Sequence, residues 1–164
     1  RRENGDHAII RHDEEPVERA GFFIRPAEAR DANELMALLA LIPSNRDLTA
    51  DEMRDVFQRF RESDGIHVFV AEARQTPTII IGFIAVSIMR ALTEGRGFIN
   101  DMAVLPTYQR RGVGAALLEA AMRCAETHHL RYLMVNSERA NDRTSAFYAA
   151  SGFTPGGFLY LKLR

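Results

Sequence analysis

A strand that gives way to a glycine turn and then a helix constrains this chain more than any other stretch. Residues Phe98 to Leu118 read FINDMAV, then LPTYQ, then RRGVGAALL. Pro106 stops the strand, Arg110 and Arg111 make the turn basic, and a helix opens at the second glycine, Gly114. That order sets unsatisfied backbone N–H groups and the positive end of a helix dipole at the mouth of a strand, where phosphate binds readily. Glycine lets the backbone approach a ligand closely, and the arginines add charge at the rim. The turn is not GxxxxGK[ST], so it is no P-loop, and Gly112-Val113-Gly114 lacks the third glycine of a dinucleotide fingerprint. On these residues alone, a plain strand-to-helix connection with a solvated arginine pair fits equally well.

The remainder of the chain narrows the setting. At 164 residues it fits one domain with a real core. A net charge of −1 gives no electrostatic case for nucleic acid or an anionic membrane. No run approaches the ~20 apolar residues of a membrane span, and no signal-peptide core opens the sequence. Cys124 is the only cysteine, which excludes an intrachain disulfide, weakens a structural zinc reading and suggests a reducing, cytoplasmic compartment. The chain begins with Arg1, which suits a trimmed product or a fragment. Residues 1 to 20 are charged and read as a flexible arm, with the domain proper over 21 to 164. In the arm, His7, His12, Asp13, Glu14 and Glu15 could ligate a metal, but a solvated segment is the plainer expectation. Ile9 and Ile10 could also dock on a partner subunit.

Within the domain, FFIRPA predicts a first strand closed by Pro26. Asp31 then reads as an N-cap, with Glu34 at capping-box spacing, for a helix carrying Leu35, Leu38, Leu39 and Ile42. Thr49 starts a second helix with Met53, Val56, Phe57 and Phe60 as its apolar face. HVFVAEAR and TIIIGFIAVSIMR predict an antiparallel pair, and FINDMAV continues it as a meander. A helix from Gly112 to about Thr127 crosses back to HLRYLMVNS, which implies a parallel crossover. A last helix, about Asp142 to Ser151, meets Gly152 at its C-terminal end, and Phe153-Thr154 and FLYLKL read as closing strands.

The order of Ile24-Arg25-Pro26-Ala27, then Gln109-x-x-Gly-x-Gly, then Asn141, Ala146-Phe147-Tyr148 and Gly152-Phe153 resembles the Gcn5-related N-acetyltransferase (GNAT) superfamily. The likeness covers about residues 22 to 164. It implies an α/β mixed sheet of six or seven strands with four helices, whose central strands splay apart to hold acetyl-CoA as co-substrate. Met102, Ala103 and Val104 would bond the pantetheine arm through their backbone, as an added strand would. Gln109, Arg110, Arg111, Gly112, Val113, Gly114 and Ala115 would cradle the pyrophosphate, and Asn141 would contact the coenzyme from the opposite side.

The resemblance also assigns Tyr148 a place beside the coenzyme sulfur, as proton donor to the leaving thiolate. A phenol of pKa ~10 stays protonated at neutral pH and suits that role; an aromatic merely packed beside Phe147 is the alternative. The acceptor amine must lose a proton, and Asp101 is the candidate base, or else it holds a loop or the substrate cation. In a regular strand Ile99, Asp101 and Ala103 share one face, while Asn100, Met102 and Val104 share the other. Many relatives carry an acid pair where this chain has Asn100-Asp101, and others carry the base at the position of Phe98. Acceptor choice is implied for about Ile42 to Asp64 and the Ala91 to Gly97 connection. There Asp47, Asp51, Glu52, Asp55 and Glu94 either steer a cationic amine or form a solvated face. His67 reads as structural, and His128-His129 as facing water. No metal is expected, and a homodimer is the commonest arrangement if the chain oligomerises. Two functions compete: an N-acetyltransferase acting on an amine of a small molecule, peptide or protein, and an inactive acyl-CoA-binding sensor or assembly module.

Overall fold

The structure is a computed structural model that describes residues 16–42, 49–135 and 142–154. Its centre is a mixed sheet of six strands lying side by side in sequence order: β1 (Val17–Arg19), β2 (Phe22–Pro26), β3 (Ile66–Ala73), β4 (Ile80–Arg90), β5 (Gly95–Val104) and β6 (Leu130–Val135). Every neighbouring pair is antiparallel except β5 and β6, which run parallel and are joined by α3 (Val113–Thr127). The other helices are α1 (Ala32–Leu39), α2 (Ala50–Arg61) and α4 (Asp142–Ala150).

β4 organises the core because it is buried on both faces from Ile80 to Val86, as its unbroken apolar run requires. Ile81, Ile84 and Val86 face α3, whose Leu117, Leu118, Ala120, Ala121 and Cys124 pack onto them. Ile80, Phe83 and Ala85 face the other way, against Leu35 and Leu38 of α1. Gly82 lets these layers close: a Cβ there would lie 2.9 Å from the carbonyl oxygen of Ala103 and 3.2 Å from Leu117 Cδ1. Gly82→Ala must therefore push β5 or α3 aside. The expected loss is ~1–3 kcal/mol in urea unfolding, the usual cost of overpacking a tight core.

Four expectations from the sequence change here. The last residues of the supposed arm belong to the sheet: Val17 pairs with Ile24 and is buried, so the fold begins before Gly21. A three-residue strand with one inward side chain leaves no periodic signal. Secondly, Asp31 makes no side-chain cap on α1. Its carboxylate instead accepts a bidentate pair from Arg25 at 2.7 and 2.8 Å and a bond from the Glu28 N–H at 2.7 Å. Thirdly, α3 starts at Val113, with Gly112 as its N-cap in the left-handed region at φ 81°. Lastly, Phe153 and Thr154 carry no strand, and Phe153 turns back onto Tyr148 instead. FLYLKL, Ile9, Ile10, His7, His12, Asp13, Glu14 and Glu15 lie outside the described residues.

Thr49 opens α2 as expected, and a capping box there was not foreseen. Thr49 Oγ1 accepts from the Glu52 N–H at 3.3 Å, and the Thr49 N–H donates to Glu52 Oε2 at 2.7 Å. The bond from the Thr49 N–H first, and second one that the Thr49 hydroxyl donates to Glu52 Oε2 at 2.8 Å, hold the Glu52 carboxyl below its ordinary pKa.

Candidate active site at the end of β5

The parallel pairing of β5 with β6 runs from Gly95↔Leu130 to Ile99↔Val135, yet β5 continues to Val104. Among the described residues, Asn100 to Val104 therefore have a strand partner on the β4 side only. The Leu105 N–H donates to Ile81 O across β4 at 2.9 Å. By strand alternation, Met102 and Val104 direct their N–H and C=O groups to the opposite edge, which no described strand covers. There the Val104 carbonyl accepts from Gln109 Nε2 at 3.2 Å. A single-strand edge of this kind is what an extended amide-bearing chain pairs with.

A bulge decides which side chains reach which face. Ala85 pairs with Asp101 and Val86 with Ile99, so Asn100 is an extra residue on β5. This overturns the regular alternation expected from FINDMAV. Ile99 packs on the α3 side with Met102 and Val104, while Asp101 sits opposite Ala85 on the α1 side with Ala103. Asn100 accepts a bond from Ser87 Oγ at 3.2 Å. Asp101 is half-buried, and its burial pushes the carboxyl pKa up from the ordinary aspartate value. A carboxylate raised in this way is a stronger base than an exposed one.

Beyond β5 the chain makes a short 3-10 turn over Pro106–Tyr108 and then the basic turn. Arg110 stands in the left-handed region at φ 63° and Gly112 at φ 81°. A non-glycine residue there is strained by roughly 1–2 kcal/mol, the cost of crowding Cβ against the carbonyl. Left-handed residues among right-handed ones turn successive N–H groups toward one concavity. The first intrahelical bond of α3 is Ala116 N–H to Gly112 O at 3.0 Å. The N–H groups of Val113, Gly114 and Ala115 precede it, and a glycine N-cap offers them no side-chain acceptor. The Arg111 guanidinium lies 5.3 Å over the Tyr108 ring, which holds it at the turn. Its charge and its unpaired backbone donors make this turn a candidate anion site.

α4 closes the other side. The Phe147 ring lies 3.6 Å from where a Gly114 Cβ would stand, so α4 packs directly on the first turn of α3. Tyr148, one residue on, is 8% exposed, with its ring 5.1 Å from Phe147 and 5.4 Å from Phe153 between centroids. Burial raises its phenol pKa above the ordinary value, so the proton is retained throughout the neutral range. Asn141, expected on this side, lies outside the described residues.

The structure thus brings Met102, Ala103 and Val104, the turn from Gln109 to Ala115, and Tyr148 to one end of the sheet. Asp101 belongs to the same strand but faces α1. The acidic residues expected to steer an amine are mostly engaged locally. Asp51 pairs with Arg54 at 2.6 Å, and Glu94 lies 3.5 Å from Arg131 Nε. Asp47 lies outside the described residues. Sequence reasoning missed Phe147 as the contact that seats α4, although its place beside Tyr148 in an otherwise polar helix was a signal.

The sequence profile of the acetyltransferase (GNAT) family matches residues 32–153. Streptothricin acetyltransferase A of Bacillus subtilis (strain 168) is 35% identical over 68 residues, 42% of this chain and 39% of that protein. The match thus spans well under half the length of that relative. Among solved structures, the aminoglycoside N-acetyltransferase AAC(6′)-Iy in complex with CoA superposes with a TM-score of 0.75 at 19% identity, covering 90% of this chain and 98% of that one. Glucosamine-6-phosphate N-acetyltransferase from Arabidopsis thaliana gives 0.71 at 19%, over 87% and 97%. At such identities the likeness shows the fold: a curled mixed sheet with four helices.

Proposed function

The chain belongs to the GNAT acetyltransferase family, and on that premise we propose that it moves an acetyl group from acetyl-CoA directly to an amine. The observation that carries this reading is the edge of β5 that no described strand covers, ending at an uncapped helix N-terminus with a buried phenol beside it. Met102 and Val104 would hold an amide-bearing arm through their backbone, and the turn from Gln109 to Ala115 would bind a pyrophosphate. When bound, the co-substrate supplies an acetyl group activated as a thioester. Tyr148 then holds its proton ready at the phenol oxygen for the departing sulfur, while Asp101 takes the proton the amine must lose, directly or through water. Asn141 is assigned a second contact to the coenzyme.

Relatives named for streptothricin, aminoglycosides and glucosamine-6-phosphate make amine-bearing small molecules the first acceptors to try, with peptide and protein amines second. Thiol release from acetyl-CoA across such a panel tests the proposal. Turnover with at least one amine is expected. Tight coenzyme binding with no turnover on any amine would make the protein a binding module instead.

Asp101→Asn supplies a further test. A carboxyl whose pKa is raised on folding favours the folded state while protonated, and that contribution is lost as pH rises through the folded pKa. The asparagine variant is therefore expected to unfold at higher temperature than the wild type at pH 7, the gain vanishing below the ordinary carboxylate pKa of ~3.9. Its kcat/KM profile should lose the acidic limb set by Asp101. An unchanged acidic limb would leave Asp101 as a binding or structural group.

A further inference from the structure

At the far end of α3 from the basic turn, three side chains from two elements converge. His67 stands near the start of β3 on the α3 face, opposite Val86; Cys124 lies in the last turns of α3; His128 closes that helix. One ligand atom from each falls within 4.8 Å of the others. The two imidazole rings are 4.6 Å apart between centroids. Cys124 is fully buried, whereas both histidines are half-buried and reach solvent. We infer that His67, Cys124 and His128 form a metal site suited to zinc, with water as the fourth ligand.

Chemistry and geometry agree on this choice. A thiolate with two imidazoles is a borderline-soft donor set, which suits zinc and excludes magnesium or calcium. Cys124 and His128 are four apart, so a helix presents them on one face. Around a tetrahedral zinc, with bonds of about 2.0–2.3 Å, neighbouring ligand atoms stand roughly 3.3–3.6 Å apart. Rotations of about 1 Å at the side chains close that gap. As zinc binds, the S–Zn bond forms and the thiol proton passes to solvent. Arg90, whose Nη2 lies 3.5 Å from His128 Nδ1, opposes a cation here. In sequence the three ligands are too scattered to read as a metal motif. The site ties β3 to the end of α3, about 22 Å along the helix from Gly112 at 1.5 Å per residue. It is therefore separate from the candidate active site.

The test is titration of the metal-free full chain with Zn(II), and with Co(II) as a spectroscopic stand-in. One equivalent of zinc is expected to bind, and a hundredfold excess over Kd should raise the unfolding midpoint by about 5–10 °C. Co(II) should give a thiolate charge-transfer band that Cys124→Ser abolishes. His67→Gln and His128→Gln should each weaken zinc at least tenfold, while Arg90→Ala strengthens it. A single cooperative unfolding transition like that of the wild type shows that each variant is folded. His7→Gln/His12→Gln should bind zinc like the wild type. Loss of zinc in that arm variant, absence of the thiolate band, or undiminished affinity in both histidine variants of the cluster would overturn the inference.

Discussion

Tyr148→Phe is expected to lower kcat by about 100-fold at saturating acetyl-CoA and amine, the lower range for removal of a positioned general acid. Coenzyme affinity should hold, because the substitution removes one oxygen and leaves the ring. The ring is what Phe147 and Phe153 pack against, at 5.1 and 5.4 Å. Stability should therefore change by no more than ~1 kcal/mol, the net worth of a hydrogen bond. The pH dependence of stability reads the burial of the phenol, whatever its catalytic role. Burial lifts the phenol pKa, so the folded protein keeps the proton above ~10, where an unfolded tyrosine ionises. Stability from this group is complete below ~10 and lost as pH rises through the folded pKa. The phenylalanine variant has no phenol proton to lose at this position, so its alkaline unfolding should be less steep. If coenzyme binding fell while turnover at saturation survived, Tyr148 would be a wall of the cleft and no acid.

Tyr148 and its neighbours also mark how far this site is legible in the sequence. The order of strands and helices is legible because each element carries its own period. Ile80 to Val86 is an unbroken apolar run, and α3 buries Val113, Ala116, Leu117, Ala120, Ala121 and Cys124 at helical spacing. Gln109 to Ala115 and Tyr148 are legible because glycines at a strand-to-helix turn and an aromatic pair on the next helix keep a recognisable order. The face of Asp101 is not. It depends on the bulge at Asn100, which arises from pairing with β4 and leaves no mark in FINDMAV. The same holds for the cluster of His67, Cys124 and His128 and for the partners of Asp31. Each is made by residues distant in sequence, and local pattern says nothing about which buried polar groups will meet. Asp31 reads as a cap because caps are local; its actual partners sit on β2 and in the turn that follows it.

The position of Asp31 leads to the second large effect. Asp31→Ala is expected to destabilise the protein by ~3–5 kcal/mol, the range for removing one partner of a buried ion pair. Asp31 is 3% exposed and Glu72 8%, and both hold Arg25: two bonds from Asp31 at 2.7 and 2.8 Å, and Glu72 Oε2 at 2.6 Å from Nε. Burial works against the charge of Arg25, but the hydrogen bonds and charges of Asp31 and Glu72 outweigh it and raise the guanidinium pKa further. Arg25 therefore cannot escape by losing its proton when Asp31 is removed. It stays charged with its bidentate partner gone, and the Glu28 N–H loses its acceptor as well. The joint replacement Arg25→Met/Asp31→Leu/Glu72→Met should behave quite differently. With all three charges gone there is nothing to desolvate, and a packed apolar trio is neutral or more stable by ~1–4 kcal/mol. Urea unfolding of both variants reads the contrast. A loss under ~1 kcal/mol for Asp31→Ala would mean that water already screens the network. The network also joins β2 and β3 to the start of α1, whose Leu35 and Leu38 cover the sheet face that carries Asp101. Asp31→Ala should accordingly raise KM for the amine more than KM for acetyl-CoA, since the proposed coenzyme side rests on α3 and α4 instead.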